Sequence, residues 1–227
     1  MAQYFVDPAG GQTELDRFSL KREGAFYVTA ALGTDGGRDV FEFPRTSNDD
    51  TFLGFDEAGQ IADSEVLILI RTDATGFQYN GGIAQRAGSV TGYGGSIIGS
   101  NRYRLTSIVN GTGSTIADPI PAGIVTTTYS YIRQRITGDQ IKIRAWDETS
   151  SEPTSWLVET TDTTIPAAGF SGIYGNTTEP FYVAAWSLGT NGDSAPSTAP
   201  ATGPETPVSL SVTDILATSA RLTWDQG

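Results

Sequence analysis

Short apolar runs separated by polar turn residues recur along this chain, and in places apolar and polar residues alternate with a period of two. Runs such as DVFEF, EVLILIR and QIKIRAW put every second side chain on one face. The pattern predicts strands at 4–6, 18–21, 25–32, 39–43, 65–71, 78–84, 102–109, 129–136, 140–146, 155–159, 169–174 and 181–188. These runs are rich in β-branched and aromatic residues and are bounded by Gly, Asn, Asp and Pro. No window of helical length carries an apolar repeat of 3.6 residues. About a dozen short strands separated by turn residues predict an all-β sandwich or barrel.

The sharpest local signal is TYSYIRQRITGDQIKIRAW. Gly138-Asp139 suits a two-residue type II′ turn, in which Gly supplies the positive φ. The register that follows sets Ile136 opposite Ile141, Gln134 opposite Ile143 and Ile132 opposite Ala145 on the core face. On the other face it sets Arg135 against Lys142, Arg133 against Arg144 and Tyr131 against Trp146. Gln134, if buried, needs a hydrogen-bond partner. Like charges directly opposite destabilise a sheet unless something neutralises them. One reading is a shallow anion or sugar platform with Tyr131 and Trp146 as stacking surfaces. The other is a set of paired carboxylates on a neighbouring strand, with Glu159 or Asp162 as candidates. Gly92-Tyr93-Gly94-Gly95 reads as a tight turn or bulge, because no Lys-Ser/Thr follows it to make a phosphate loop.

Residues 189–206, GTNGDSAPSTAPATGPET, contain no bulky apolar side chain and read as a linker. Residues 1–188 then form one large β domain. Residues 207–227 hold two further β-like runs, too few to close a core of their own.

Composition narrows the chemistry. The chain has 227 residues and a net charge of −12, which argues against nucleic acid as a partner. Cysteine and histidine are both absent, so Cys or His metal sites and His-assisted nucleophiles are excluded. No cofactor is expected, although Ca²⁺ held by oxygen is possible at the acidic loops Asp49-Asp50/Asp56-Glu57 and Asp147-Glu148/Glu152. No apolar run is long enough to insert in a membrane.

From Tyr129 to Gly175 the sequence resembles the laminin-G-like branch of the concanavalin A-like lectin/glucanase superfamily. The resemblance rests on a Tyr-x-x-Arg strand, the Gly-Asp turn, a strand ending in Trp146 and a loop carrying Glu152-Pro153 before Trp156. Ala168-Gly169, Gly172 and the closing strand FYVAAWSL complete it. Upstream, GGIAQRAGSVTGYG is similar to that family's Gly-Ile-x-x-Arg strand, with Arg86 and Tyr93 in the matching places. The likeness covers residues 60–188 well and 1–59 loosely. It implies a two-sheet antiparallel jelly-roll sandwich that often binds carbohydrate and sometimes holds Ca²⁺ at a rim. It also implies structural packing for Trp146 and Trp156. Residues 207–227 resemble the first two strands of a fibronectin type III domain, with Trp224 at the core tryptophan position.

Enzymatic members of that superfamily carry paired carboxylates spaced Glu-x-Asp-x-x-Glu, and this sequence has no such run. The expected role is therefore adhesion without catalysis. Extracellular-style modules whose first residues lack a signal-peptide pattern suggest a phage virion protein: a tail-fibre, head-fibre or capsid-decoration component. Its expected partners are other virion proteins, copies of itself in a homo-oligomer, and host-surface carbohydrate. Tyr79, Arg86, Tyr93, Tyr131 and Trp146 are the candidate ligand-binding residues. The alternatives are a purely structural virion role and an extracellular bacterial polysaccharide-active enzyme or its carbohydrate-binding module.

Overall fold

The computed structural model describes residues 2–20, 30–43, 51–72, 79–81, 91–98, 102–110, 112–118, 127–165, 168–175, 180–198, 209–216 and 219–225. It is almost entirely β. The first sheet contains β1 (Gln3–Val6), β3 (Ala31–Asp35), β4 (Arg38–Phe43), β6 (Ser64–Thr72), β11 (Ser130–Thr137), β12 (Gln140–Asp147), β13 (Val158–Thr161) and β15 (Phe181–Thr190). The second contains β2 (Phe18–Leu20), β5 (Thr51–Phe55), β7 (Tyr79–Gly81), β8 (Gly92–Ile98), β9 (Arg102–Val109), β10 (Thr112–Ala117) and β14 (Gly172–Gly175). A short 3₁₀ turn at Pro8–Gly10 and one helical turn, α1 (Gln12–Leu15), connect β1 to β2. Among the described residues no helix is long and apolar enough to cross a bilayer.

Every pairing is antiparallel. The first sheet runs β13-β12-β11-β6-β15-β4-β3, with β1 added alongside the C-terminal half of β15. The second runs β10-β9-β8-β7-β14-β5-β2. Consecutive strands pair within a sheet in short runs (β3-β4, β7 to β10, β11 to β13), and the chain crosses between the sheets between those runs, as in a jelly roll. One core fills the space between them. Val66, Ile68, Ile70, Ile132, Ile143 and Trp186 of the first sheet meet Phe18, Phe55, Tyr103, Leu105 and Ile173 of the second. Trp186 is the hub: Phe18 approaches it edge-on at 5.1 Å and Phe55 at 4.9 Å. Burying rings of this size supplies much of the driving force for layer packing.

The predicted hairpin forms in the predicted register. All six cross-strand pairs named above occur between β11 and β12, and Gly138 has φ 58°. Gln134 is buried and donates from Nε2 to the Tyr93 carbonyl at 3.1 Å, while its Oε1 has no partner among the described residues.

Three sequence expectations are corrected. Gly92–Gly95 is not a turn but lies within β8, in the interior of the second sheet. The glycine is there for closeness. A Cβ on Gly95 would lie 1.5 Å from the Tyr103 hydroxyl, so only glycine lets that ring cross the strand. The last domain strand extends to Thr190, and the chain after it stays on the sheet. Strands β5 and β10 were not predicted: β10 is a Thr-, Gly- and Ser-rich run with little apolar character, and the five residues of β5, TFLGF, show no period-two alternation. Residues 209–225 form a separate antiparallel hairpin, β16 (Ser209–Leu216) with β17 (Ser219–Asp225).

Candidate functional site

The outward face of the first sheet carries the densest chemistry. Across its strands, the side chains of one row read Glu65, Arg135, Lys142, Glu159, on β6, β11, β12 and β13 in turn. The like-charged pair at the centre is thus flanked by a carboxylate on each side. Lys142 Nζ lies 2.5 Å from Glu159 Oε1, and Arg135 Nε donates to Glu65 Oε2. The adjacent row pairs Arg133 with Arg144. Their repulsion is relieved from above, where Glu152 on the loop after β12 accepts from Arg133 Nη2 at 3.0 Å and from Arg144 Nη1 at 2.8 Å. Glu159 was foreseen as a neutralising group. Glu65 and Glu152 were not, because one lies on a strand distant in sequence and the other on a loop.

Glu65 is the centre of this network. Its side chain is 1% exposed. It accepts from Arg133 Nη1, from Arg135 Nε and from the Ala195 N–H at 3.0 Å. A buried carboxylate requires such saturation, since an unpaired one is very costly.

The third of those donors comes from the segment read as linker. Asn191 (φ 54°) and Gly192 (φ 94°) form a tight turn closed by Asp193 N–H to the Thr190 carbonyl at 3.1 Å. Positive φ at both central positions is the type I′ pattern, and Asn-Gly is its strongest sequence signal. The turn sends residues 193–197 back across the outward face as a strap. Ala195 is buried against Leu67 and Trp146. Its carbonyl accepts from Arg133 Nη1 at 2.8 Å, and the Pro196 carbonyl accepts from Ser187 Oγ at 2.7 Å. Gln3 Nε2 and Arg135 Nη2 hold Ser194 through its carbonyl and hydroxyl, at 2.8 and 3.0 Å. Gly189, opposite Glu65 on β15, makes the approach possible: a Cβ there would lie 2.3 Å from the Asp193 carbonyl oxygen.

Strap and sheet enclose a shallow cleft of about 390 Å³, lined by Glu65, Arg133, Arg135, Arg144, Glu152 and Trp156, with Gln3 and residues 194–197 on the strap side. Trp156 forms one wall. The guanidinium of Arg144 lies 3.9 Å from its ring centroid and that of Arg135 5.4 Å. Such cation–π contacts fix long side chains in place.

The sequence-predicted residues are distributed differently from expectation. Tyr131 and Trp146 do share the outward face and stack at 5.2 Å, but the strap covers them. They form a small apolar cluster with Leu67 and Ala195 and offer no open platform. Tyr93 is a core residue, 2% exposed. Its hydroxyl donates toward Asp162 Oδ1 and the Asp162 carbonyl, each at 3.1 Å, and accepts from the Ile165 N–H. Burial and the neighbouring Asp162 push its pKa up to about 12. Asp162 therefore ties Tyr93 and takes no part in the basic face. Tyr79 lies on β7, paired with Gly175 and Ile97, and Arg86 falls outside the described residues. Trp156, expected to pack for structure, stands instead at the cleft.

A second ion-pair cluster closes the far end of the same face. Arg71 holds Asp35 through two 2.6 Å hydrogen bonds, Tyr129 donates to Asp35 at 2.8 Å, and Arg38 covers the Tyr129 ring at 4.5 Å. Burial opposes ionisation of Asp35. The bonds from Arg71 and Tyr129 outweigh it and hold the carboxyl below its ordinary range.

The acidic loops considered for Ca²⁺ are engaged within the protein. Asp147 accepts from Thr149 and Thr128, Glu148 pairs with Arg38, and Glu57 pairs with Arg17. Asp49-Asp50 lies outside the described residues. Among the described residues no cluster of three or more acidic groups could hold a metal ion.

No family model and no curated protein matches the sequence. Solved structures do. A carbohydrate-binding module, CBM66 from Bacillus subtilis, superposes with TM-score 0.52 at 14% identity, over 74% of this chain and 94% of that one. The exoplasmic/lumenal domain of VIP36, bound to Ca²⁺ and Man3GlcNAc, gives TM-score 0.55 at 8% identity, over 85% and 90%. The Crh5 transglycosylase, in complex with NAG, gives 0.56 at 9% identity, over 85% of each chain. Two antiparallel sheets in jelly-roll order, superposing on binders and a transferase alike, make this a concanavalin A-like lectin/glucanase-type fold.

Proposed function

We propose that the sandwich is a non-catalytic carbohydrate-binding module, and that the cleft between the strap and the outward face of the first sheet is where it binds. The observation that carries this is the pairing of an aromatic wall, Trp156, with fixed polar groups in one open depression. That is the composition a saccharide site needs: apolar area for a ring face, and preorganised donors for hydroxyls. The neighbours in fold that hold sugars support the reading. Catalysis is not proposed. Glu65 is buried, and Glu65 and Glu152 are each already held by two guanidinium groups, so neither is placed to exchange a proton with a substrate.

The test is a glycan array probed with the full chain, with Ca²⁺ and with EDTA. Binding that is lost in Trp156→Ala supports the reading. Binding unaffected by that substitution refutes the cleft as the site, and turnover of any bound polysaccharide refutes the non-catalytic role. Carriage on a phage particle is proposed as the setting. Mass spectrometry of purified virions tests it, and absence of the chain from every particle fraction refutes it.

A further inference from the structure

The cleft contains three guanidinium groups, Arg133, Arg135 and Arg144, and two carboxylates, Glu65 and Glu152. It therefore keeps one uncompensated positive charge in a protein whose net charge is −12. The excess sits at the mouth. Glu65 and Glu152 engage both Nη groups of Arg133, which serve the two carboxylates and the Ala195 carbonyl, and the side chain is 8% exposed. Arg135, at 35% side-chain exposure, spends only Nε on Glu65 and Nη2 on Ser194. Arg144, at 19% side-chain exposure, spends only Nη1 on Glu152. Two guanidinium groups thus retain N–H donors beside the cleft. Both lie against Trp156, which fixes their orientation before any ligand arrives.

Resting on the carbohydrate reading above, we infer that the ligand is an acidic saccharide, and that the carboxylate of a uronic acid residue bridges Arg135 and Arg144. A carboxylate matches the planar guanidinium fork, whereas a neutral hydroxyl would leave the surplus charge uncompensated. Ser194 and Ser197 on the strap are within the cleft lining to serve ring hydroxyls. The overall negative charge opposes approach of a polyanion at low ionic strength. At about 0.15 M salt the screening length is about 8 Å, so distant carboxylates fade while the contacts inside the cleft persist.

The experiment uses the full chain in about 0.15 M NaCl, with oligogalacturonate, oligoalginate and oligoglucuronate probes. Each is set beside its carboxyl-reduced form, which keeps the ring and linkage and removes the charge. The expected result is binding to at least one acidic probe, weakened at least tenfold by carboxyl reduction and by Arg135→Gln, and partly restored in Arg135→Lys. Ser197→Asp is a second variant, at an exposed position in the cleft lining. It should weaken acidic probes by a similar factor. Equal binding of acidic and reduced probes, or of neutral glycans only, overturns this inference and leaves the carbohydrate reading standing. Binding of no glycan at all overturns both.

Discussion

Replacing Gly189 by Ala tests whether the strap belongs to the folded domain. The added Cβ would lie 2.3 Å from the Asp193 carbonyl oxygen, 2.6 Å from the Ser194 carbonyl carbon and 2.7 Å from that of Asp193. All three are backbone atoms, so no side-chain rotation relieves the overlap, and the strap must lift. Lifting removes the Ala195 N–H bond to Glu65 and the Arg133 bond to the Ala195 carbonyl. Each involves a charged group, for which the net value is about 1.5–3 kcal/mol. It also opens the cluster of Leu67, Trp146 and Ala195 to water. Partial rehydration of Glu65 returns some of this, so the expected loss is about 2–4 kcal/mol. Two measurements check it: urea unfolding, and hydrogen exchange at the Ala195 amide, which should lose its protection while the β11–β12 amides keep theirs. Stability within about 0.5 kcal/mol of the parent, with Ala195 still protected, would show that the strap is not held as described.

Other substitutions separate buried from exposed chemistry. Glu65→Gln breaks a buried network and should cost about 3–5 kcal/mol, whereas Glu159→Gln, at a carboxylate 60% exposed, should change unfolding free energy by less than about 0.5 kcal/mol. Gly95→Ala drives a methyl into the buried Tyr103 ring and should cost about 2–3 kcal/mol in chemical denaturation. Tyr103→Phe removes a buried hydroxyl with no partner among the described residues, so it should be neutral or slightly stabilising, and a large loss would reveal a missing partner. For Tyr93 the folded pKa is raised to about 12 from an ordinary 10, so its contribution is complete below pH 10 and fades as pH rises from there to 12. Unfolding free energies over that range should fall less steeply in Tyr93→Phe. Asp35 has the opposite sign: its lowered pKa gives stability that is present above about pH 4 and lost in acid, and Asp35→Asn should flatten that acid limb in pH-dependent unfolding curves.

What the sequence settled by itself was local. The period-two alternation in β11 and β12, with a Gly-Asp turn between them, left one register that buries Ile132, Ile136, Ile141 and Ile143, because a one-residue slip would invert every side chain. Enrichment in β-branched and aromatic residues between turn residues identified β4, β6, β9 and β15. The alternation also showed that Arg133, Arg135, Lys142 and Arg144 would crowd one face and need neutralising. It could not supply all the neutralising groups. Glu65 lies about 70 residues away from Arg135, and only the pairing of β6 with β11 sets them opposite each other. Nor could local composition show that GTNGDSAPS is a docked strap. Its Asn191-Gly192 turn was written in the chain, but what holds the returning segment is a buried carboxylate, two arginines and a gap at Gly189 assembled from three strands, β6, β11 and β15. The same assembly moved the candidate site. Tyr131 and Trp146 went under cover, Tyr93 into the core, and Trp156 to the cleft, because burial depends on which layer lies above a side chain and not on the side chain's own chemistry.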